Sequence, residues 1–155
     1  MINVDEIKVK IGLIGFSEAY QKVLAWFFSY PLLPISLSDL AKRLGISKKT
    51  ATQIVSQLIE EEFLTKEEVG RAWRIYCNQK HIYNYTRKVS YNLSLVYKLL
   101  YEKNIIKEIY GIAAAKAIVL FGSYRKGDDT DKSDLDIAVE VLGKEELKVI
   151  KLGTL

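Results

Sequence analysis

Cysteine and histidine are almost absent from this chain: Cys77 and His81 are the only examples among 155 residues. One thiol excludes an internal disulfide and a cysteine-cluster zinc site, which leaves Cys77 as a core or surface thiol. One imidazole leaves histidine-based metal ligation or triad chemistry without partners. Long apolar runs are missing too, so no stretch reaches membrane-spanning length. Met1-Ile2-Asn3-Val4-Asp5-Glu6 lacks the basic-then-apolar shape of a signal peptide. The expectation is a cytoplasmic protein without a membrane partner. Repeats, low-complexity tracts and flexible Gly/Ser linkers are also lacking, which argues for parts held in fixed relative placement. Apolar content of 49% and charged content of 27% are ordinary for a globular protein of one domain or two small ones. A formal charge of +4 permits a polyanionic partner without requiring one.

From Ser17 to about Asn78 the pattern predicts three helices and a hairpin. The first helix runs from Ser17 or Glu18 to Ser29, with Tyr20, Val23, Leu24, Phe27 and Phe28 inward, and Pro31 and Pro34 beyond its end. An extended piece follows around Leu32 to Ser36. Ser36 or Ser38 caps the next helix, which ends at Leu44; Gly45-Ile46-Ser47 turns and caps the third. That third helix is expected over Lys48 to Phe63, burying Ala51, Ile54, Val55, Leu58, Ile59 and Leu64. Its other face shows Lys48, Lys49, Thr52, Gln53, Ser56 and Gln57, with no acid before Glu60. The hairpin pairs Leu64 to Glu68 with Arg71 to Tyr76 around Val69-Gly70.

Two helices joined by a glycine turn read as helix-turn-helix. With its hairpin, the segment resembles the winged-helix DNA-binding domains of archaeal and bacterial transcription regulators, and Leu37 to Ser47 is typical of them. The resemblance implies a duplex DNA partner. Lys48, Lys49, Thr52, Gln53 and Gln57 would enter a major groove, while Lys42, Arg43, Arg71 and Arg74 would touch phosphates. The competing reading is a winged helix used for protein contacts, which Glu67 and Glu68 near the wing tip favour, since acids repel phosphate.

Between His81 and Tyr110 the chain is largely helical and rich in tyrosine. Ile82, Val89, Leu93, Val96, Leu100 and Ile106 recur at three-to-four spacing, giving one apolar side, and Asn92, Asn104 and Gly111 are candidate breaks. Two readings fit: a helix covering both flanking parts, or a helix pair in a homodimer. The dimer is preferred because DNA readers commonly pair to span two half-sites.

The sharpest chemistry lies near the C-terminus. Ile118-Val119-Leu120-Phe121 reads as a buried strand running into Gly122-Ser123; ten residues later comes Asp134-Leu135-Asp136-Ile137-Ala138-Val139. Alternate residues on a strand share a face, about 7 Å apart, so Asp134 and Asp136 are expected to point together. Hard carboxylates converging in this way suit Mg²⁺ or Mn²⁺. Gly122 lets the backbone approach a phosphate, and Ser123 offers its hydroxyl and amide at the start of a short helix that Gly127 ends. A solvated turn is the plain alternative for the acidic loop. A calcium loop with Asp129, Asp131, Ser133 and Glu140 as ligands fails, because Asp134 stands where the sharp turn needs glycine.

The ordered pattern of strand, Gly122-Ser123, Gly127 and Ser133-Asp134-Leu135-Asp136 resembles the minimal nucleotidyltransferases of the DNA polymerase β superfamily. That resemblance implies Gly122 and Ser123 on a triphosphate, Asp134 and Asp136 as catalytic metal ligands, and ATP as substrate. It also implies pairing with a HEPN-type protein partner and transfer of the nucleotide to a protein. Active members place a third carboxylate on the next strand. Glu140 lies about 13 Å along the strand from Asp136, too far to share a metal. Glu145 and Glu146 are explained by a helix start. The expected fold is therefore α+β: a winged helix-turn-helix over residues 1–80, a helical connector over 81–111, and a partial nucleotidyltransferase α/β sheet over 112–155. The unpaired edge of Ile137-Ala138-Val139 leaves three expectations: a partner strand from another subunit, one from further chain, or a poorly ordered C-terminal part. Two functions fit: a DNA-binding regulator that transfers a nucleotide from ATP with divalent metal, or a purely DNA-binding regulator carrying an inactive relic.

Overall fold

Three serines set the N-terminal helices. In a computed structural model, which describes residues 16–112 and 115–143, the side-chain oxygens of Ser17, Ser36 and Ser47 accept from the backbone N–H groups of Tyr20, Asp39 and Thr50 at 3.2, 3.1 and 3.0 Å. Each occupies an N-cap and satisfies a donor the helix itself cannot. Helix α1 spans Glu18–Ser29, strand β1 Ile35–Ser36, α2 Leu37–Leu44 and α3 Lys48–Glu60. Gly45 ends α2 in the left-handed region at φ 64°, where a side chain would be strained. Strands β2 (Leu64–Val69) and β3 (Ala72–Cys77) complete an antiparallel sheet in the order β1-β3-β2, with Ile35 opposite Ile75 and Leu64 opposite Cys77. Val23, Phe27, Leu40, Ala51, Val55, Leu58, Phe63 and Ile75 are wholly buried between helices and sheet. This is a winged helix-turn-helix. Helix α3 stops at Glu60 rather than Phe63, because Glu62 takes φ 62° and turns Phe63 back into the core.

The connector is helical, in three pieces: α4 (Ile82–Tyr85), α5 (Arg87–Glu102) and α6 (Ile105–Ile112). Asn104, at φ 55°, makes the break between α5 and α6. Asn92 is no break; it is buried in the middle of α5. The inward face of α5 is Lys88, Asn92, Val96 and Leu100, whereas Leu93 and Ile82, expected to be apolar contacts, are exposed. The polar half of that face meets the backbone carbonyls of Tyr124 and Asp129, which apolar side chains could not satisfy.

Strand β4 (Ala115–Phe121) runs into the short helix α7 (Gly122–Lys126), and β5 (Asp136–Val141) returns antiparallel to β4 with Phe121 opposite Asp136. The whole is mixed helix and sheet, an α+β fold. Strand β4 is not the buried strand its sequence suggests: Val119 and Phe121 are 52% and 47% exposed. Among the described residues the sheet has two strands, so one edge of β5 and much of each face lack cover. Asp134 precedes β5 instead of lying on it. Glu145, Glu146 and residues 1–15 lie outside the described residues. Among those described, no helix is long and apolar enough to cross a membrane.

Candidate functional site

The corner between β4 and α7 is built on Gly122. Its φ is +70°, and a β-carbon added there would overlap the Asp136 carboxylate, lying 3.0 Å from its Cγ and 3.1 Å from its Cβ. The antiparallel register that sets Phe121 against Asp136 brings the acid to this spot. Glycine is required twice, by the backbone angle and by the side chain that fills its open face. Gly127, at φ +83°, closes α7 by donating its N–H to the Ser123 carbonyl at 2.8 Å. Asp136 and Ser123 are half-buried; Asp134 is exposed. The turn just before Asp134 is closed on itself. Thr130 N–H donates to Ser133 Oγ at 2.9 Å, and Ser133 N–H returns to the Thr130 carbonyl at 3.1 Å.

Gly122, Ser123 and Asp136 therefore meet at one strand-to-helix corner, with Asp134 two residues away on the approach. Oxygen donors of this kind, beside a backbone free of side-chain bulk, fit a divalent cation that keeps waters or phosphate oxygens as its other ligands. Among the described residues no three acidic, histidine or cysteine side chains cluster as a metal site.

Three residues to which the sequence gave no part in this site hold the corner from outside. Asp129, in the acidic loop, is 5% exposed, so it is neither a solvated turn residue nor an accessible calcium ligand. Lys88 Nζ donates to the Asp129 carbonyl at 2.5 Å and stands 3.3 Å from its carboxylate. Asn92 Nδ2 donates to the same carboxylate at 2.6 Å and to the Tyr124 carbonyl at 3.0 Å. A β-carbon on Gly127 would overlap the Asn84 carbonyl, so the loop also packs tightly against α4. The available signal was Lys88 and Asn92 standing in one i, i+4 stripe with Val96 and Leu100. Beside Asp129 a cleft of about 280 Å³ opens between α1 and the loop, lined by Phe28, Ser29, Tyr91, Tyr124, Thr130 and Asp131. Burial, then the nearby Asp129 carboxylate, raises the Tyr124 hydroxyl above its usual range.

A second surface lies on the winged helix. Lys42, Arg43, Lys48, Lys49, Gln53, Gln57, Arg71 and Arg74 are all exposed. Thr52 is half-buried and donates its hydroxyl to the Lys48 carbonyl at 2.7 Å, and the Gln57 amide donates to Glu61 Oε1 at 2.9 Å. Arg43 lies over the Trp26 ring at 5.2 Å and Arg74 over Tyr76 at 6.0 Å. The wing acids are partly engaged: Glu67 accepts from Tyr76 at 2.8 Å and Glu68 pairs with Lys66 at 3.3 Å. Glu61, just past α3, also accepts from the hydroxyls of Tyr83 at 2.9 Å and Tyr20 at 3.3 Å, which ties the winged helix to the connector. Burial, followed by this carboxylate, pushes the Tyr83 hydroxyl up to about 12.

Comparison with known proteins matches two separate segments of the chain. Residues 30–68 match the MarR family, and residues 102–153 match the nucleotidyltransferase domain. Two proteins of Methanocaldococcus jannaschii, both provisionally named as protein adenylyltransferases, are 50% identical to this chain over 38 residues. That stretch is 24% of this chain and 35% and 36% of the relatives, so the chain spans about a third of the length of the curated proteins it matches. No solved structure matches it significantly.

Proposed function

We propose that this chain, a MarR-type winged helix joined to a nucleotidyltransferase domain, binds duplex DNA and holds ATP with Mg²⁺ or Mn²⁺ for transfer of AMP to a protein hydroxyl. The working division is 1–80 for DNA, 81–111 for the connector and 112–155 for the nucleotide. The observation that carries the nucleotide half is the Gly122 corner, whose open face is filled by the Asp136 carboxylate. Gly122 and Ser123 would lie along the triphosphate, and Asp134 and Asp136 would hold the cation. A divalent ion held there would supply charge neutralisation to the phosphate oxygens of an in-line displacement. In that displacement the acceptor oxygen bonds to the α-phosphorus, the bond to the β-phosphate bridge breaks, pyrophosphate leaves, and the hydroxyl proton passes to solvent.

Adenylyl transfer as the reaction rests on the names of the two short relatives. The acceptor would be a partner protein, with the HEPN type as the first candidate. For DNA, the support is the coincidence of a winged helix with exposed cations on α2, the start of α3 and the wing. A homodimer is favoured by the exposed Leu93, Tyr97 and Tyr101 on one side of α5.

A specific observation supports a second reading, in which nucleotide is bound without turnover: among the described residues no third acid joins the pair. One titration series addresses both. The wild type should bind Mn²⁺-ATP, and Asp134→Asn with Asp136→Asn should abolish that binding. Label from α-³²P-ATP reaching a protein acceptor would establish transfer, and binding without label would support the relic. Equal ATP binding by the double variant would end the nucleotide assignment.

A further inference from the structure

We propose that Lys88 and Asn92 are positioning residues: from the connector helix they fix the loop that joins the Gly122-Ser123 corner to Asp134 and Asp136. The inference rests on the nucleotide reading above and extends it to residues outside the matched nucleotidyltransferase segment, which begins at residue 102.

Lys88 and Asn92 are each 1% exposed and stand one helical turn apart on α5. Burying an ammonium group is expensive unless its donors are met, and a helix packing only for burial would place leucine there. Here the donors are spent on α7 and the loop that follows it. Lys88 takes the carbonyl and carboxylate of Asp129; Asn92 takes that carboxylate and the Tyr124 carbonyl. Gly127, seated on Asn84, adds a third fixed point. Residues 124, 127 and 129 are thus anchored between Ser123 and Asp134.

Beyond Asp129 the chain has little freedom left, because the Thr130–Ser133 turn closes on itself directly before Asp134. Displacing the anchor moves Asp134 relative to the glycine corner. The cost falls on metal and triphosphate held between the two, even though neither Lys88 nor Asn92 reaches the ligand. Outer partners of metal-binding groups act in this way, and their removal lowers metal affinity by about 10- to 100-fold.

The test uses the whole chain, with Mn²⁺ affinity in the presence of ATP read by electron paramagnetic resonance. Hydrogen exchange at amides 130–136 is followed alongside it. Asn92→Leu keeps the ion pair and removes only the neutral donor. Lys88→Met with Asp129→Leu removes both charges together, so neither is left buried alone. We expect both variants to keep a cooperative thermal transition, bind Mn²⁺-ATP about 10- to 100-fold more weakly, and exchange faster at 130–136. Wild-type affinity in both variants, with unchanged exchange, would reduce the cluster to packing and overturn the proposal. A wild type that binds no Mn²⁺-ATP would overturn the nucleotide reading itself, and this inference with it.

Discussion

Replacing Gly122 with alanine tests the corner with two separable costs. The first is conformational: at φ +70° an L-residue sits in the left-handed region, which costs about 1–2 kcal/mol. For a chain of this size that lowers the melting temperature by roughly 2–8 °C. The second is steric. The new methyl would overlap Asp136 Oδ2 outright and stand 3.0 Å from Cγ, where carbon atoms ordinarily rest about 3.5–4.0 Å apart, so the carboxylate oxygen must retreat by about 1 Å or more. A displacement of about 1 Å at a reacting centre can cost about 100-fold. Gly70→Ala isolates the first cost, because Gly70 has φ +62° with no atom near its open face. The expected outcome is a similar thermal shift for the two variants, with Mn²⁺-ATP affinity lost only in Gly122→Ala. Wild-type affinity in Gly122→Ala would refute the reasoning, because the methyl cannot occupy that space with Asp136 in place.

Further outcomes follow from the other surfaces. Duplex DNA affinity should fall with salt at a logarithmic slope of about −3.6 per protomer if Lys42, Arg43, Arg71 and Arg74 each meet one phosphate. Lys48→Ala with Lys49→Ala should weaken binding; unchanged affinity in gel-shift titrations would count for the protein-contact reading. Lys88→Met alone leaves Asp129 buried without its cation and should destabilise the protein by about 3–5 kcal/mol in urea unfolding followed by circular dichroism. Recovery of most of that loss when Asp129→Leu is added identifies the pair as the cause. Trp26 and Trp73 both lie in the winged helix, so their fluorescence shows whether that half unfolds with the rest.

Local chemistry made the N-terminal half legible. Serine caps at Ser17, Ser36 and Ser47, the glycine exit at Gly45 and apolar spacing on α1 and α3 depend on neighbours within a few residues. So do the Gly122 corner and the short helix ended by Gly127. The sequence misled where a residue's environment is supplied from far along the chain. Asp129 read as a turn residue and Asn92 as a helix break, and Lys88 carried no signal of its own; all three are buried because the ammonium and the amide, 41 and 37 residues before the carboxylate, satisfy it. Val119 and Phe121 read as core because apolar strands normally have covered faces, and the two strands among the described residues cover little of them. Sequence alone determined which segments turn, cap and alternate, since those preferences are set by the chain's own covalent neighbours. The fold decided which polar groups could leave water, because desolvation is offset only by partners that tertiary packing brings together.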